Sequence, residues 1–346
     1  MEEFVLSPEL QAVQKIKECA WGMVSTSVLV AAIRLGLPDA VGDEPVTAEA
    51  IAHKVGAEPV TLARLLDALE CRGVFTRTPD GRYHHNEISR LLRDDDPNSV
   101  SYLVQWIGHP LLWPLWPRLD EAIRTGGAVF PDIYGKHVFD YIHQDDPQAG
   151  ALLSRGMSQA SNHTSAAIAR SLDLADAKVV ADIGGGQGHL LKTILEHHPH
   201  PRGVLFDLPP VVAGAHPALR SGPLADRVEI LGGNCRADVP VVADVYVLKN
   251  VLEWDDESSI ATLSNVAASA RPGARVLVIQ TLADHNPEPQ VTTGLDLLLL
   301  LNGAGQKHTT AHVRRLLEES GLSFVGVRST GTFLSCVEAV APDPPR

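Results

Sequence analysis

Two aspartates set around a cluster of glycines are the residues of this chain best suited to chemistry. Asp182 closes the apolar run Val179-Val180-Ala181-Asp182-Ile183, and Gly184, Gly185, Gly186 and Gly188 follow it. Glycine permits a tight turn and lets backbone N–H groups approach a ligand. The stretch Leu190–Glu196 then has the spacing of an amphipathic helix. Strand, glycine turn and helix are how an open α/β sheet builds a nucleotide-shaped pocket at the carboxyl ends of its strands. A second apolar run, 203–206, ends in Asp207. An acid at the end of the second strand is placed to hold a ribose diol.

A carboxylate at Asp182 would repel a pyrophosphate but suits a cationic amino-acid group. Amino acid plus ribose without phosphate describes S-adenosylmethionine (S-adenosylhomocysteine after the reaction), set against the plainer reading of a turn with no ligand.

These residues must be held by a sheet. From residue 178 onward strand and helix patterns alternate, as in a doubly wound α/β domain. Strands are predicted near 179–183, 203–206, 228–231, 244–249, 274–280, 323–327 and 332–338. Upstream, residues 8–36 show helical spacing of Val13, Ile16, Ala20, Met23, Val24 and Val28, predicting one long helix that ends before Gly36. Thr47 is placed to cap a helix over 48–55, and Pro59 opens another reaching Arg72. Pro79-Asp80-Gly81 between strand-like runs predicts a hairpin. Helix, turn, helix and hairpin make a winged helix. Its second helix offsets Arg64 and Arg72 with Asp67 and Glu70, so the basic face that duplex binding needs is missing and dimerisation is the better use. Prolines 110, 114 and 117 interrupt an aromatic run of Trp106, His109, Trp113 and Trp116, predicting short helices and loops between the domains. Trp106, with Met157, Asn162 and His163 on the last helix before the glycine strand, could wall a pocket for a flat apolar substrate. Packing between domains is the competing role for the aromatic run.

The totals narrow the partners. The chain has 346 residues and a formal net charge of −13, which disfavours nucleic acid and anionic membranes, since phosphate contacts rest on Lys and Arg. Four cysteines are widely scattered with no metal-ligand spacing, so no metal is expected and a reducing cytoplasm fits. The opening Met-Glu-Glu-Phe lacks the basic start of a signal peptide. No apolar run reaches membrane-spanning length. The histidines 197, 198 and 200 read as a solvated turn. Expected boundaries are 1–100 for the winged-helix domain, 101–170 for a helical connector, 171–341 for the Rossmann-like domain, and a disordered tail at 342–346.

Three segments, 181–188, 205–209 and 248–256, resemble the small-molecule O-methyltransferase family, as do 32–37 and 270–275. The likeness spans about Gln11 to Val340. It implies a class I methyltransferase domain behind an N-terminal winged-helix dimerisation domain, a homodimer, and S-adenosylmethionine as cofactor. It implies Gly184 and Gly186 at the methionine part, Asp207 with Leu208 at the ribose, Asn234 near the adenine where an aspartate is usual, Lys249 beside the cofactor, and Trp254 on the adenine. Asn250 would face the substrate. The family pattern Leu-His-Asp-Trp reads Leu252-Glu253-Trp254 here, one residue short and without the histidine that takes the substrate's proton. Lys307 stands where the glutamate orienting that histidine is usual. The shortened segment resembles the anthracycline-tailoring branch. Glu253 is the candidate substitute base, against the simpler role of a helix N-terminal acid with nothing to orient it. His308 is a second candidate, against a solvent-exposed loop histidine. The expected reaction is methylation of a hydroxyl on an aromatic or polyketide-like metabolite. The alternatives are a relative that keeps the cofactor for hydroxylation, decarboxylation, rearrangement or cyclisation, and a winged-helix regulator sensing the cofactor.

Overall fold

A computed structural model of the chain describes residues 7–342, so all of the predicted tail except Pro342 lies outside the described residues. The chain separates into two compact units, Met1–Leu112 and Trp113–Arg346.

The first unit opens with α1 (Pro8–Ala20) and α2 (Gly22–Arg34). The single long helix expected over 8–36 is broken at Trp21, whose φ of −85° and ψ of 8° leave the helical region, and the two halves meet at 45°. Gly22 follows the break, and glycine is the poorest helix former after proline. Then come α3 (Leu37–Val41), α4 (Ala48–Val55) and α5 (Pro59–Glu70). Thr47 caps α4 as expected, accepting from the Ala50 N–H at 3.3 Å. The predicted hairpin is present but short, β1 (Thr76–Arg77) against β2 (Tyr83–His84), and Val46 bridges Tyr83 on its other side. Helices α6 (Glu87–Arg90) and α7 (Ser101–Ile107) complete the unit. Leu37, Ile51, Leu66, Leu69, Phe75 and Tyr83 form its core. Helix α1 buries none of its residues, leaving Leu10, Val13 and Ile16 exposed beside Trp21 and Met23.

The second unit starts with the short helices α8 (Leu119–Thr125), α9 (Phe130–Tyr134) and α10 (Val138–Gln144), then the 25-residue α11 (Pro147–Ser171). Several prolines of this region sit in the first turn of a helix, where the missing N–H costs nothing. The sheet follows: β3 (Val179–Ile183), β4 (Arg202–Asp207), β5 (Val228–Gly232), β6 (Val245–Lys249), β7 (Arg275–Gln280), β8 (Ser323–Ser329) and β9 (Ser335–Val340). Around it lie α12 (His189–His197), α13 (Pro209–Val212), α14 (Pro217–Arg220), α15 (Asp256–Ser269), α16 (Pro289–Gly303) and α17 (Thr310–Glu319).

The strand order is β5-β4-β3-β6-β7-β9-β8, with β9 antiparallel to both its neighbours and the other pairs parallel. All seven predicted strands are present. The last begins three residues later than expected because a turn over 330–334, held by Thr330 and Thr332, precedes it. Its core joins Ile183, Phe206, Tyr246, Leu248, Val276, Val278 and Val337 with Leu316 and Leu317 of α17. The order reverses between β3 and β6, the switch point where open α/β sheets bind ligands beyond the strand ends. Among the described residues no single helix is long and apolar enough to cross a membrane.

Candidate active site

The carboxyl ends of β3 and β6 place Asp182 and Lys249 at the switch point. Asp182 is 1% exposed, and neither oxygen has a hydrogen-bond partner. Burial raises its pKa to about 7, against the pull of Lys249; the Leu191 N–H lowers it slightly without reaching hydrogen-bond geometry. A buried carboxylate without a partner is costly, so its retention calls for an incoming cation or donor. Burial in turn lowers the pKa of Lys249, while Asp182 and Glu253 raise it. Its ammonium donates to the Ser161 hydroxyl of α11 at 2.9 Å.

The glycine loop shapes the space beside Asp182. A Cβ at Gly185 would stand 2.6 Å from the Asp182 carboxyl carbon, and one at Gly184 would stand 2.7 Å from Val251. Gly186, at a φ of +62°, faces open space. Its N–H donates to Asp207 at 2.7 Å, and the Leu208 N–H donates to the other Asp207 oxygen at 2.6 Å. Desolvation raises the pKa of Asp207, and those two N–H groups oppose it. Asp207 is thus aimed by backbone and keeps lone pairs free for a diol. An orphaned acid, an open glycine and an oriented second acid fit a ligand that carries an ammonium and a ribose. A plain turn does not account for the orphaned acid.

Further out, Gly233 donates to the Asp207 carbonyl at 2.9 Å, so the loop after β5 lies against the end of β4. Asn234 is exposed there and accepts from the Arg236 N–H at 3.0 Å. Trp254 meets Phe139 edge-on at 4.7 Å and, with Arg236 and Asn302, lines an open cleft of about 400 Å³. Asn250 holds a left-handed φ of 55° directly after β6, a strained conformation for a non-glycine residue that clusters at functional sites.

The candidate catalytic residues correct the sequence reading. Glu253 is not a helix N-terminal acid: α15 starts at Asp256 under an Asp255 cap, and Glu253 is buried at 6% exposure. Nor does it lack a partner. The Lys307 ammonium lies 2.5 Å from its Oε1, with the two side chains 4% and 7% exposed. Tertiary folding brings together residues 54 apart in sequence, which local spacing could not reveal. His308 is not a solvent-exposed loop histidine. It is fully buried, its Nδ1 is 3.3 Å from Gln280 Nε2, and its ring packs on His312 at 4.4 Å. Burial, helped by His312, lowers its pKa to about 4 and keeps it neutral. Its Nε2 is buried without a hydrogen-bond partner. Asp256, His308 and His312 do bring possible metal ligands within 4.8 Å of one another. Arg315 already occupies the cluster, bonded to Asp256 at 2.5 Å and to His312 at 2.9 Å.

Met157, Asn162 and His163 are exposed along α11. Trp106 belongs to the first unit, 6% exposed and stacked on His109 at 5.9 Å. Two residues were missed: Ser158, whose hydroxyl donates to Gln187 at 3.1 Å, and Ser161 on Lys249. Their i, i+3 spacing on one helix face was the available signal.

Known proteins share this architecture. Residues 116–323 match the O-methyltransferase domain and residues 18–95 the O-methyltransferase dimerisation domain. A mitomycin biosynthesis 6-O-methyltransferase of Streptomyces lavendulae is 35% identical over 314 residues, covering 90% of this chain and 88% of its own. The solved structure of a mitomycin 7-O-methyltransferase superposes with a TM-score of 0.87 at 33% identity, covering 96% of this chain and 98% of that one. An O-methyltransferase from neocarzinostatin biosynthesis, solved with S-adenosylmethionine and 2-hydroxy-5-methyl naphthoic acid, gives 0.77 at 30% identity, covering 92% and 96%.

Proposed function

Since the chain belongs to the O-methyltransferase family and carries that family's dimerisation domain, we propose that it methylates a hydroxyl of an aromatic or polyketide-like secondary metabolite. S-adenosylmethionine is the cofactor; when bound, it supplies an electrophilic methyl group on a positive sulfur. The observation that carries the reading is the orphaned carboxylate of Asp182 beside the open face of Gly186.

In this reading Asp182 receives the ammonium of the methionine part and Gly184 and Gly186 flank it. Asp207 accepts the ribose hydroxyls beside Leu208, and Asn234 and Trp254 border the adenine. Lys249 balances Asp182 until the ligand arrives. Holding an acceptor oxygen in line with a methyl group is itself a large source of rate. Met157, Asn162, His163 and Asn250 are the proposed substrate contacts. The exposed apolar residues of α1 supply the face of the homodimer, and the four free thiols support a cytoplasmic setting. A cofactor-retaining enzyme that does not methylate is not favoured, because the relatives are methyltransferases. A cofactor-sensing regulator loses its footing for the same reason.

The test pairs calorimetry with mass spectrometry. The protein should bind S-adenosylmethionine, and incubation with a panel of hydroxynaphthoic acids and hydroxyquinones should give a product heavier by one methylene. Absence of cofactor binding would overturn the reading.

A further inference from the structure

Four charges alternate in sign along the carboxyl edge of the sheet: Asp182, Lys249, Glu253 and Lys307. Lys249 stands within electrostatic reach of both carboxylates. Glu253 and Lys307 form the buried end of this line. Backbone fastens them. The Gln306 N–H donates to the Glu253 carbonyl at 3.2 Å, and the Lys307 N–H donates to Asp296 at 2.5 Å. A Cβ at Gly305 would come within 2.4 Å of the Glu253 carbonyl oxygen, so no larger residue lets this loop lie so close.

A buried ion pair is weak support for stability, since apolar replacements of similar volume are often neutral or better. Its position four residues beyond the end of β6, on the edge where such sheets bind ligands, calls for another reason.

Resting on the methyltransferase reading above, we propose that Glu253 and Lys307 act as a carboxylate–ammonium dyad: Glu253 takes the proton of the substrate hydroxyl, Lys307 fixes that carboxylate, and the dyad restricts the enzyme to acidic hydroxyls. As the proton moves from the substrate oxygen to Glu253, that oxygen uses an electron pair to bond the methyl carbon. The carbon–sulfur bond breaks and its pair stays on sulfur. Glu253 later yields the proton to solvent. Before transfer the site holds a carboxylate, an ammonium and a neutral hydroxyl. After it, the oxygen is an ether, Glu253 is a neutral acid and the sulfur has lost its charge, so the positive and negative charges cancel together and the net charge of the desolvated site is unchanged. Glu253 touches substrate and is the catalytic residue; Lys307 acts through it as a positioning residue.

The restriction follows from matching. Proton transfer is efficient when donor and acceptor are close in strength. A carboxylate is a far weaker base than a phenolate. That gap narrows for hydroxyls made acidic by conjugated carbonyl, quinone or nitro groups.

The experiment measures methylation of a graded series, from unsubstituted naphthols to nitro- and acyl-substituted ones. The unmodified enzyme should favour the acidic members. Glu253→Gln should lower turnover about 10²-fold for weakly acidic probes and only a few-fold for probes already ionised at the assay pH, with cofactor affinity unchanged. Lys307→Gln should show the same graded loss, and Lys307→Arg should recover part of it. The double exchange Glu253→Lys with Lys307→Glu keeps an ion pair and guards against misfolding; it should restore thermal stability but not turnover. Equal losses across the series, full activity of Glu253→Gln, or full activity of the double exchange would overturn the dyad while leaving the methyltransferase reading intact. An unmodified protein that binds the cofactor but methylates no probe would overturn both.

Discussion

Asp182 and Glu253 are both buried carboxylates on the same edge of one sheet, and Lys249 is coupled to both. Asp182 has no hydrogen-bond partner and burial raises its pKa to about 7. Glu253 has an ammonium 2.5 Å away. The difference separates a socket from a tool. An unpaired buried acid is unstable until something arrives, which suits a site that waits for a charged ligand. A paired acid is complete before any ligand comes, which suits a group whose position must be fixed during reaction.

The comparison can be broken by making Glu253 resemble Asp182. Lys307→Met leaves a buried charge without its partner and should cost about 3–5 kcal/mol of stability. Denaturant unfolding would read it, and a loss under 1 kcal/mol would mean the pair is open to water. The opposite change makes Asp182 indifferent to charge. Its folded pKa lies near 7 against an ordinary 3.8, so the folded state binds the proton more tightly than the unfolded chain. Without cofactor, stability should therefore be greatest below about pH 4 as far as this group is concerned and fall as pH rises to about 7. Asp182→Asn should remove that slope and stabilise the cofactor-free protein by the order of 2–4 kcal/mol at pH 8, while weakening cofactor binding. Thermal unfolding across pH checks the first effect and calorimetry the second; an unchanged slope would show that Asp182 does not titrate there.

Smaller changes sharpen the socket side. Asp207→Ala should weaken S-adenosylmethionine binding by about 1.5–3 kcal/mol through loss of charge-assisted hydrogen bonds. Calorimetry showing unchanged affinity would remove Asp207 from the ribose. Gly186→Ala meets no atom within 4 Å but must adopt a φ of +62°, costing about 1–2 kcal/mol of stability. Gly185→Ala drives a Cβ to 2.6 Å from the Asp182 carboxyl carbon and should be the more damaging of the two by the same thermal measurement.

How much was legible in the sequence follows from how local each signal is. The strands were readable because apolar runs such as 179–183 and 275–280 are broken by turn residues, and burial on both faces leaves few alternatives. The hairpin at Pro79-Asp80-Gly81 and the Thr47 cap were readable because turns and caps are made by neighbours in the chain. The helix over 8–36 was misread because Val13, Ile16 and Met23 keep their spacing across a bend that only the backbone at Trp21 reveals.

The sequence by itself determined the sheet, its glycine turn and the two acids that end β3 and β4, since each depends on residues within one strand–turn–helix unit. Tertiary structure decided which charges meet. Glu253 and Lys307 lie 54 residues apart, on a strand-end loop and a helix-end loop whose approach is set by the packing of the sheet. His308 is neighbour to Lys307 in the chain yet turns into the core against Gln280 and His312. Burial and pairing belong to the assembled molecule, because a side chain's solvent and partners come from segments that its own sequence neighbourhood does not contain.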